Sequence, residues 1–480
     1  MSSSIKLLSG DFGHVINGKL DTAPNAKRLD VNNPATGEHL ASVPICDRAT
    51  LDKAVEAAAA AFPAWRDKSW AERAEAVKKW GEHYQSSIPD LIPLLTAEQG
   101  KALGISHYEA NAVTEWFQAM PTMELKETTV LDDEKMKAIT RYTPLGVCAG
   151  IVPWNFPILL MVWKIIPAVL TGNTIIIKPS PFTPLCDIRI VEAAQQFFPP
   201  GVVQVVVGDD SLGPWITEHE GIRKVSFTGS SATGRLVAKS CSATLKRFTL
   251  ELGGKDPCVV MADVDFEKAI PQIFMAATLN SGQTCVCAKR IYVHDSIYEK
   301  FSQALAGAFQ NGAVVGDPLK EGVLIGPINN KMQHKKVSEF FDDVKSKGYK
   351  TFAGGDITSS GDGLFATPTL VDNPPDDSKI AVEEPFGPIV PLFRYKDEAE
   401  LLKRINSSEY GLGASVWSTD LEKAGAFARK IDSGIVWVNS SPVLHPRVPF
   451  GGCKSSGIGC ENGDQGLQGW CQLHSICVAK

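Results

Sequence analysis

The amino-acid sequence predicts an α/β protein with two segments of parallel sheet and one β hairpin. Between residues 146 and 240, short apolar runs alternate with helix-like runs, a pattern typical of a parallel sheet with helices on its faces. The same alternation resumes after Gly254 and continues to about Val438. The polar segment 126–142 ends in a β-branched and aromatic run, which indicates an extended hairpin.

The individual elements follow from the same periodicity. An alanine-rich run that begins at Leu51, is interrupted at Pro63 and resumes at Ala71 predicts helix over 51–85, and residues 91–120 are predicted as further helix. The predicted strands of the first sheet are 146–152, 174–178, 202–207 and 225–227, with helices at 157–170, 184–197 and 232–240. The second segment has predicted helices at 265–279 and 298–311 around a strand at 290–294. A last strand, 472–478, is expected to pair with the hairpin or with another subunit.

Composition and charge restrict the class of partner. The 480 residues are 44% hydrophobic and 21% charged, as in soluble globular proteins with more than one large core. A net charge of -6 argues against nucleic acid or an anionic membrane as the main partner. The eleven scattered cysteines do not form a secreted disulfide framework, and the N-terminus lacks the apolar core of a signal peptide, so a cytoplasmic protein is expected. Prolines and a lysine break the apolar stretch 151–177, which is therefore expected to be buried core and no membrane span.

One cysteine, Cys285, is a possible nucleophile. Glu251 precedes it in the Gly-rich turn 251–255, and a carboxylate near a thiol can manage the proton that the thiol must lose. Cys287 lies too close to Cys285 for the usual zinc-ligand spacing, and no paired histidines follow, so no metal site is expected. A buried, inert thiol is the ordinary alternative.

Four further segments can carry ligand contacts, and each has an ordinary structural alternative. The small residues 228–234 at a strand-to-helix turn admit a diphosphate, or simply cap a helix. Lys178 at a strand end can hold a ribose hydroxyl or a phosphate, or face solvent. Asn155, in a stiff turn, can donate to a developing oxyanion, or be a turn residue. The acids Glu383 and Glu384 can accept from a ribose hydroxyl, or lie in a solvated loop.

In this order the segments resemble the motifs of the aldehyde dehydrogenase superfamily over nearly the whole chain. The matching motifs are Pro153-Trp154-Asn155-Phe156-Pro157, Ile177-Lys178-Pro179-Ser180, Phe227-Thr228-Gly229-Ser230, Glu251-Leu252-Gly253-Gly254-Lys255, Gly282-Gln283-Thr284-Cys285, Glu384-Pro385-Phe386-Gly387-Pro388 and Pro449-Phe450-Gly451-Gly452-Cys453-Lys454. Several motifs in one fixed order make the match highly specific.

The resemblance implies a catalytic cycle with a covalent intermediate. Cys285 would attack the aldehyde carbon to give a thiohemiacetal, with Asn155 and the backbone N–H of Cys285 as the oxyanion hole. Hydride transfer would leave a thioester, and Glu251 would activate the water that hydrolyses it. The resemblance also implies that Lys178 is one of the catalytic residues. Glu461 matches a glutamate proposed to relay protons to Glu251.

The resemblance also implies NAD or NADP as cofactor. Lys178 and Glu384 would hold the two riboses, and Gly229 and Ser230 would lie under the diphosphate. The complete implied cofactor set is Ile151, Pro153, Trp154, Lys178, Ser180, Pro181, Gly208, Phe227, Gly229, Ser230, Gly234, Leu252, Gln333, Lys336, Glu384 and Phe386. Many NAD-preferring members have Glu where Pro181 stands, and that acid repels a 2′-phosphate. Its absence predicts that NADP is tolerated.

By the same match, an aldehyde tunnel would be lined by Phe156, Leu160, Trp163, Thr284, Val286 and Phe450. The set is apolar and aromatic and contains no cation for a carboxylate, which favours an uncharged aliphatic or aromatic aldehyde. The alternatives are a semialdehyde dehydrogenase, an acylating member that passes the thioester to coenzyme A, and a non-catalytic binding or structural protein of the same fold. A water-activating Glu251 argues against the acylating route. No histidine near Cys285 supports a Cys–His hydrolase.

The implied architecture has three parts. A Rossmann-like parallel-sheet cofactor domain would comprise residues 1–125 and 145–252, and a second α/β catalytic domain residues 253–445. Residues 126–144 and 446–480 would form an oligomerisation hairpin and C-terminal strand, giving a homodimer or homotetramer. Cys460 stands where the family often has Arg, a departure that concerns the loop carrying Glu461.

Overall fold

Two mostly parallel sheets covered by helices organise the chain. The computed structural model describes residues 5–357, 363–440 and 442–480. Its strands are β1 (His14–Ile16), β2 (Lys19–Asp21), β3 (Arg28–Asn32), β4 (His39–Pro44), β5 (Thr128–Asp132), β6 (Met136–Pro144), β7 (Val147–Ile151), β8 (Thr174–Lys178), β9 (Val203–Val205), β10 (Lys224–Thr228), β11 (Arg247–Glu251), β12 (Pro257–Val260), β13 (Arg290–His294), β14 (Thr351–Ala353), β15 (Thr369–Asp372), β16 (Ile389–Tyr395), β17 (Gly413–Trp417), β18 (Ile435–Val438), β19 (Gly457–Ile458) and β20 (Cys471–Ala479). Its α-helices are α1 (Arg48–Arg66), α2 (Trp70–Gln99), α3 (Leu103–Ala119), α4 (Pro157–Leu170), α5 (Leu185–Ala194), α6 (Leu212–Glu218), α7 (Ser231–Ser242), α8 (Phe266–Thr278), α9 (Tyr298–Gly312), α10 (Lys331–Ser346), α11 (Lys379–Val382), α12 (Glu398–Asn406), α13 (Leu421–Ala428) and α14 (Gly463–Gln468).

The first sheet has the strand order β19-β11-β10-β7-β8-β9-β1-β2. The run from β11 to β9 is parallel, and antiparallel strands flank it on both sides. Parallel strands buried on both faces read as continuous apolar runs, as β7 and β8 do. The second sheet, of order β14-β15-β16-β13-β12-β17-β18, is parallel except at β14. The predicted α/β class with a Rossmann-like parallel sheet and a second α/β unit is confirmed.

The third sheet consists of the C-terminal strand β20 and the hairpin strands β6 and β5. β20 lies antiparallel to β6 along its whole length, from Cys471 opposite Pro144 to Ala479 opposite Met136, and β5 pairs with the other side of β6. The C-terminal strand thus pairs with the hairpin of its own chain. Earlier in the segment 446–480, Gly457 and Ile458 form β19 and pair with β11 at the edge of the first sheet. That segment therefore contributes to two sheets.

The helix α2 departs from the sequence prediction. A break was expected between 85 and 91, but α2 runs unbroken to Gln99 with Pro89 and Pro93 inside it. Proline disfavours a helix interior, yet the helix buries a continuous apolar stripe that includes Ile88, Leu91 and Leu95. Tertiary burial therefore outweighs the local propensity. The helix begins with a Ser69–Glu72 capping box and ends at Gly100, whose φ of 90° is left-handed.

The apolar stretch 151–177 forms the centre of the first sheet's core. It comprises the end of β7, the helix α4, which is buried on every side, and most of β8. None of the helices in the described residues combines the length and apolar character needed to cross a bilayer. Lys164 is the single charged residue in α4, and its burial requires the partners described below.

Candidate active site

The carboxyl edge of the first sheet brings several predicted site residues together. The parallel register places Ile151 opposite both Lys178 and Phe227, and Glu251 opposite Thr228. Chain segments far apart in sequence therefore end at one edge, where open α/β sheets bind ligands. Burial lowers the pKa of Lys178, an effect that Asp210 and Asp209 oppose.

The turn after β10 has the form expected of a diphosphate site. Ser230 caps the N-terminus of α7 by accepting from the backbone N–H of Thr233 at 3.2 Å, and Gly229 donates to the carbonyl of Glu251 at 3.0 Å. A Cβ at Gly234 would lie 2.5 Å from the Leu252 side chain, so that helix packs closely on the sheet only with glycine. The remaining predicted residues nearby are distributed over neighbouring turns: Pro153 and Trp154 after β7, Ser180 and Pro181 after β8, and Gly208 after β9.

A tight turn delivers Cys285. Asn280, Ser281 and Gly282 are three consecutive residues with φ of 52°, 58° and 75°. A Cβ at Gly282 would lie 2.3 Å from the carbonyl oxygen of Gly387, so glycine is required there. The left-handed backbone is costly and persists because the surrounding structure imposes it. The nucleophile loop is thereby pressed against the loop that carries Glu384.

The thiol of Cys285 is partly buried and faces a tunnel that Asn155 and Glu251 also line. Burial raises its pKa to about 12, and Lys289 acts in the opposite direction. At neutral pH the thiol is therefore protonated in this state, and attack on a substrate requires that the proton be removed.

Asn155 is held by a buried ion pair that sequence analysis did not single out. Lys101 donates to the Asn155 carbonyl at 2.8 Å and pairs with Glu109, and both of these side chains are fully buried. The Asn155 amide nitrogen donates to the carbonyl of Gln283 at 3.1 Å. The amide is thus directed toward the backbone just before Cys285.

Glu251 is an unpaired acid that lines the tunnel. Both of its carboxylate oxygens are buried, and neither has a hydrogen-bond partner among the described residues. Burial raises its pKa well above the usual range, Glu461 adds to that effect, and Lys164 opposes it. In its ionised form, this carboxyl group without partners can take a proton from a water molecule.

Glu461 lies behind Glu251 in a buried network. Its Oε1 accepts from Lys164 Nζ at 3.0 Å and from the Ser226 hydroxyl at 2.6 Å, and Lys164 also donates to the Thr228 hydroxyl at 2.9 Å. Thr228 lines the tunnel beside Glu251. The backbone of Glu461 pairs with Phe450 in both directions, which fixes the position of the residue after Cys460.

Glu384 meets the nucleophile loop through a lysine. Lys289 forms a buried ion pair with Glu384, whose Oε1 also accepts from the backbone N–H of Gly254 at 3.3 Å. Phe386 stacks edge-on against Trp154 with ring centroids 5.3 Å apart. Gln333 supports this loop by donating to the carbonyls of Pro385 and Phe386, whereas Lys336 is exposed on α10.

The six predicted tunnel residues line one narrow cavity, together with Tyr108, Leu159, Leu279, Leu412, Pro442 and Leu444. A funnel of about 840 Å³ shares Tyr108, Leu159, Leu279 and Leu444 with that cavity and includes Glu115 and His445. Among the described residues, neither lining contains a lysine or an arginine. Within the described residues, the path to Cys285 therefore offers no lysine or arginine to a carboxylate.

This arrangement can be compared with known proteins. A sequence model of the aldehyde dehydrogenase family matches residues 22–476. The chain belongs to the aldehyde dehydrogenase family. It is 38% identical to aldehyde dehydrogenase LUC3 of Fusarium sp over 470 residues, which cover 98% of this chain and 99% of that protein. It is 36% identical to the NADP(+) succinate-semialdehyde dehydrogenase GabD of Escherichia coli K12, with 97% of each chain covered.

The fold of this family member also matches solved structures. The NAD+ complex of an aldehyde dehydrogenase from Bacillus cereus superimposes with a TM-score of 0.95 at 32% identity, over 98% of this chain and 97% of that one. The buried residues Lys101, Glu109, Lys164 and Lys289 escaped sequence analysis, because a lysine or glutamate in a helix or loop carries no sign of its burial.

Replacing Lys101 in this aldehyde dehydrogenase family member tests the support of the Asn155 turn. Lys101→Met leaves Glu109 buried without its cation, and we expect a loss of about 3–5 kcal/mol in the free energy of unfolding. Chemical denaturation measures it. As the matched control, Lys101→Met combined with Glu109→Leu should recover part of that loss, since no unpaired charge remains. Equal losses in both variants would show that the ion pair itself does not matter.

Proposed function

We propose that the protein oxidises an aldehyde to its carboxylic acid with NAD or NADP. The observation that carries the proposal is the convergence of Cys285, Asn155 and Glu251 on one tunnel with otherwise mostly apolar walls. A nucleophile, an amide donor and an unpaired carboxyl group are the groups that acyl transfer to water requires. The apolar walls of the tunnel suit an apolar chain.

The first step is attack by Cys285. The thiol loses its proton to solvent, and sulfur forms a bond to the aldehyde carbon while the carbonyl oxygen takes the negative charge. The resulting thiohemiacetal oxygen accepts from the Asn155 amide and the backbone N–H of Cys285, which stabilises the charge as it develops. Lys101 and Gln283 keep the Asn155 amide in place.

The residues at the carboxyl edge fit a nicotinamide dinucleotide. The buried ammonium of Lys178 has one hydrogen bond within the described residues, a long contact of 3.5 Å to the Pro179 carbonyl, which leaves donors for ribose hydroxyls. The capped N-terminus of α7 offers backbone N–H groups to a diphosphate. When bound, the cofactor accepts the hydride of the thiohemiacetal. Trp154 and Phe386 form an apolar wall beside Glu384.

Hydrolysis of the thioester is the task of Glu251. As an ionised base it takes a proton from water, whose oxygen attacks the thioester carbon, and the Cys285 thiol leaves with a proton as the acid forms. Because burial raises its pKa, ionised Glu251 is a stronger base than an exposed glutamate. We propose that Glu461, which pairs with Lys164, exchanges protons with Glu251 during this step.

Variants at the two central residues test the mechanism. Cys285→Ala should lower kcat for aldehyde oxidation by at least about a thousandfold, because no covalent intermediate can form. Glu251→Gln should form the thioester and release it slowly, which appears as a burst of about one NADH or NADPH per site followed by a low steady rate. Cys287→Ala is the matched control and should keep most of the activity. Full activity in Cys285→Ala would contradict the mechanism.

We propose an uncharged aliphatic or aromatic aldehyde as the substrate class. The support is the apolar lining of the tunnel and the absence of any lysine or arginine from the described lining residues of tunnel and funnel. The exposed Glu115 at the funnel adds repulsion for a carboxylate. The relation to GabD keeps semialdehyde oxidation as the second possibility. The two classes differ by one carboxylate far from the reacting carbon.

A pair of matched aldehydes separates these classes. We expect hexanal and benzaldehyde to exceed succinic semialdehyde in kcat/KM by at least about tenfold, because an unpaired carboxylate must be desolvated in the tunnel. The methyl ester of succinic semialdehyde has the same chain without the charge and should recover most of the difference. A higher kcat/KM for the free acid than for its ester would contradict the proposed class.

The choice of cofactor depends on the neighbourhood of Pro181. We propose that both NAD and NADP are used. Pro181 has no carboxylate to repel the 2′-phosphate of NADP, and Lys178 lies near Pro181 in the chain. The kcat/KM values for NAD and NADP should lie within about a thousandfold of each other. Pro181→Glu should lower kcat/KM for NADP much more than for NAD, because like charges repel. A larger preference for NAD in the unmodified enzyme would contradict the claim of tolerance.

Glu461 should control the pH dependence of thioester hydrolysis. Its negative charge raises the pKa of Glu251, so Glu461→Gln should lower that pKa. Since Glu251 acts as a base only when ionised, the acid limb of the hydrolysis rate should move to lower pH in this variant. Single-turnover kinetics across pH measure the shift. A limb that stays in place or moves to higher pH would contradict the proposed coupling.

We further propose that the protein is a cytoplasmic homodimer or homotetramer. The three-stranded sheet of β20, β6 and β5 has an exposed edge strand β5, which supports a homodimer or homotetramer formed through this sheet. The domain bounds 1–125 and 145–252, 253–445, and 126–144 with 446–480 remain predictions. All eleven cysteines lie in the described residues and are free thiols, in keeping with a reducing compartment such as the cytoplasm.

A further inference from the structure

Lys289 is a buried lysine beside Cys285 that has no role in the proposed mechanism. It is buried four residues after Cys285 and donates to the carbonyl of Cys285 at 2.8 Å and to the carbonyl of Gly254 at 3.0 Å. Its third contact is the carboxylate of Glu384. An ammonium group has three N–H donors, and here all three are used. One side chain thereby joins the nucleophile loop, the turn after β11 and the loop after α11.

The charge state of this lysine follows from its partners. Burial acts to lower the pKa of Lys289, but Glu384, Cys287 and Asp256 together outweigh that effect and the pKa is raised, so the group is a cation at neutral pH. Other charged groups that act on it or on Cys285 are Asp256, Glu251 and the buried Lys255. Among the charges acting on Cys285, Lys289 favours the thiolate, whereas Glu384, Asp256 and Glu251 disfavour it.

We propose that Lys289 is a positioning residue for Cys285, whose buried cation promotes thiolate formation, and that Glu384 limits this effect by pairing with the cation. The inference rests on the proposed role of Cys285 as nucleophile. It assigns Glu384 a second task beside contact with a ribose. Weakening the ion pair makes the thiol more reactive, and removing the cation makes it less reactive.

A purely mechanical role for Lys289 would have different consequences. If the lysine only held three loops together, then loss of either member of the ion pair would loosen the nucleophile loop in the same way. An electrostatic role requires the two losses to act in opposite directions. The Lys289 and Glu384 variants therefore separate the two roles without reference to turnover.

The test is alkylation of Cys285 by iodoacetamide at pH 8, in the absence of aldehyde and cofactor. The chain has eleven free thiols, so modification is quantified by mass spectrometry on the peptide that contains Cys285. We expect Lys289→Met to slow the reaction and Glu384→Gln to accelerate it, each by at least about threefold. A nearby charge shifts a thiol pKa by about one unit or more, and the lower nucleophilicity of a more acidic thiolate offsets part of the change.

Two further variants provide controls. Lys289→Arg keeps the charge and should restore alkylation to within about twofold of the unmodified protein. Lys246→Met removes a lysine that likewise donates to two backbone carbonyls but precedes β11 at the end opposite Glu251, and it should leave the rate unchanged. Circular dichroism and thermal unfolding confirm that the variants are folded.

The outcomes are distinct. Equal signs for Lys289→Met and Glu384→Gln, or changes below twofold in both, would overturn the inference. Normal aldehyde oxidation by the unmodified protein together with either result leaves the proposed function intact. If the unmodified protein oxidises no aldehyde but the two rates move in opposite directions, the proposed function fails and the electrostatic role of Lys289 stands.

Discussion

The parallel register of β8, β7, β10 and β11 is the constraint on which the site depends. Parallel strands end on the same side of a sheet, so Lys178, Ile151, Thr228 and Glu251 reach one edge although more than 90 residues can separate their motifs. An antiparallel pairing of any of these strands would send its terminal residue to the far edge.

Charge burial is the second theme of the structure. Lys101 with Glu109, Lys164 with Glu461, and Lys289 with Glu384 are three buried pairs around the proposed reaction centre. Each pair has additional hydrogen bonds, which a buried pair needs to offset desolvation. Glu251 stands among them without a partner in the described residues. Three hydrogen-bonded ion pairs thus lie around a carboxyl group that can exchange a proton.

Residue patterns along the chain predicted most helices and strands correctly. They gave the wrong element where tertiary packing outweighs local propensity. The alternation of apolar runs predicted the parallel sheets, because buried strands are continuously apolar. The predicted break between residues 85 and 91 was wrong, because a buried apolar stripe holds α2 together despite Pro89 and Pro93. The sequence also left two partners open for β20, since a strand's own residues do not determine which edge it joins.

The sequence by itself determined the chemical groups: a cysteine, a glutamate, an asparagine and a Gly-rich turn in an order specific to one family. Their chemistry is intrinsic to the side chains and can be recognised without coordinates. Only the tertiary structure decided their charge states and supports, because a pKa depends on burial and on neighbours that are remote in sequence. Lys289 illustrates this difference, since the sequence around Cys285 does not show that the Lys289 ammonium binds Glu384.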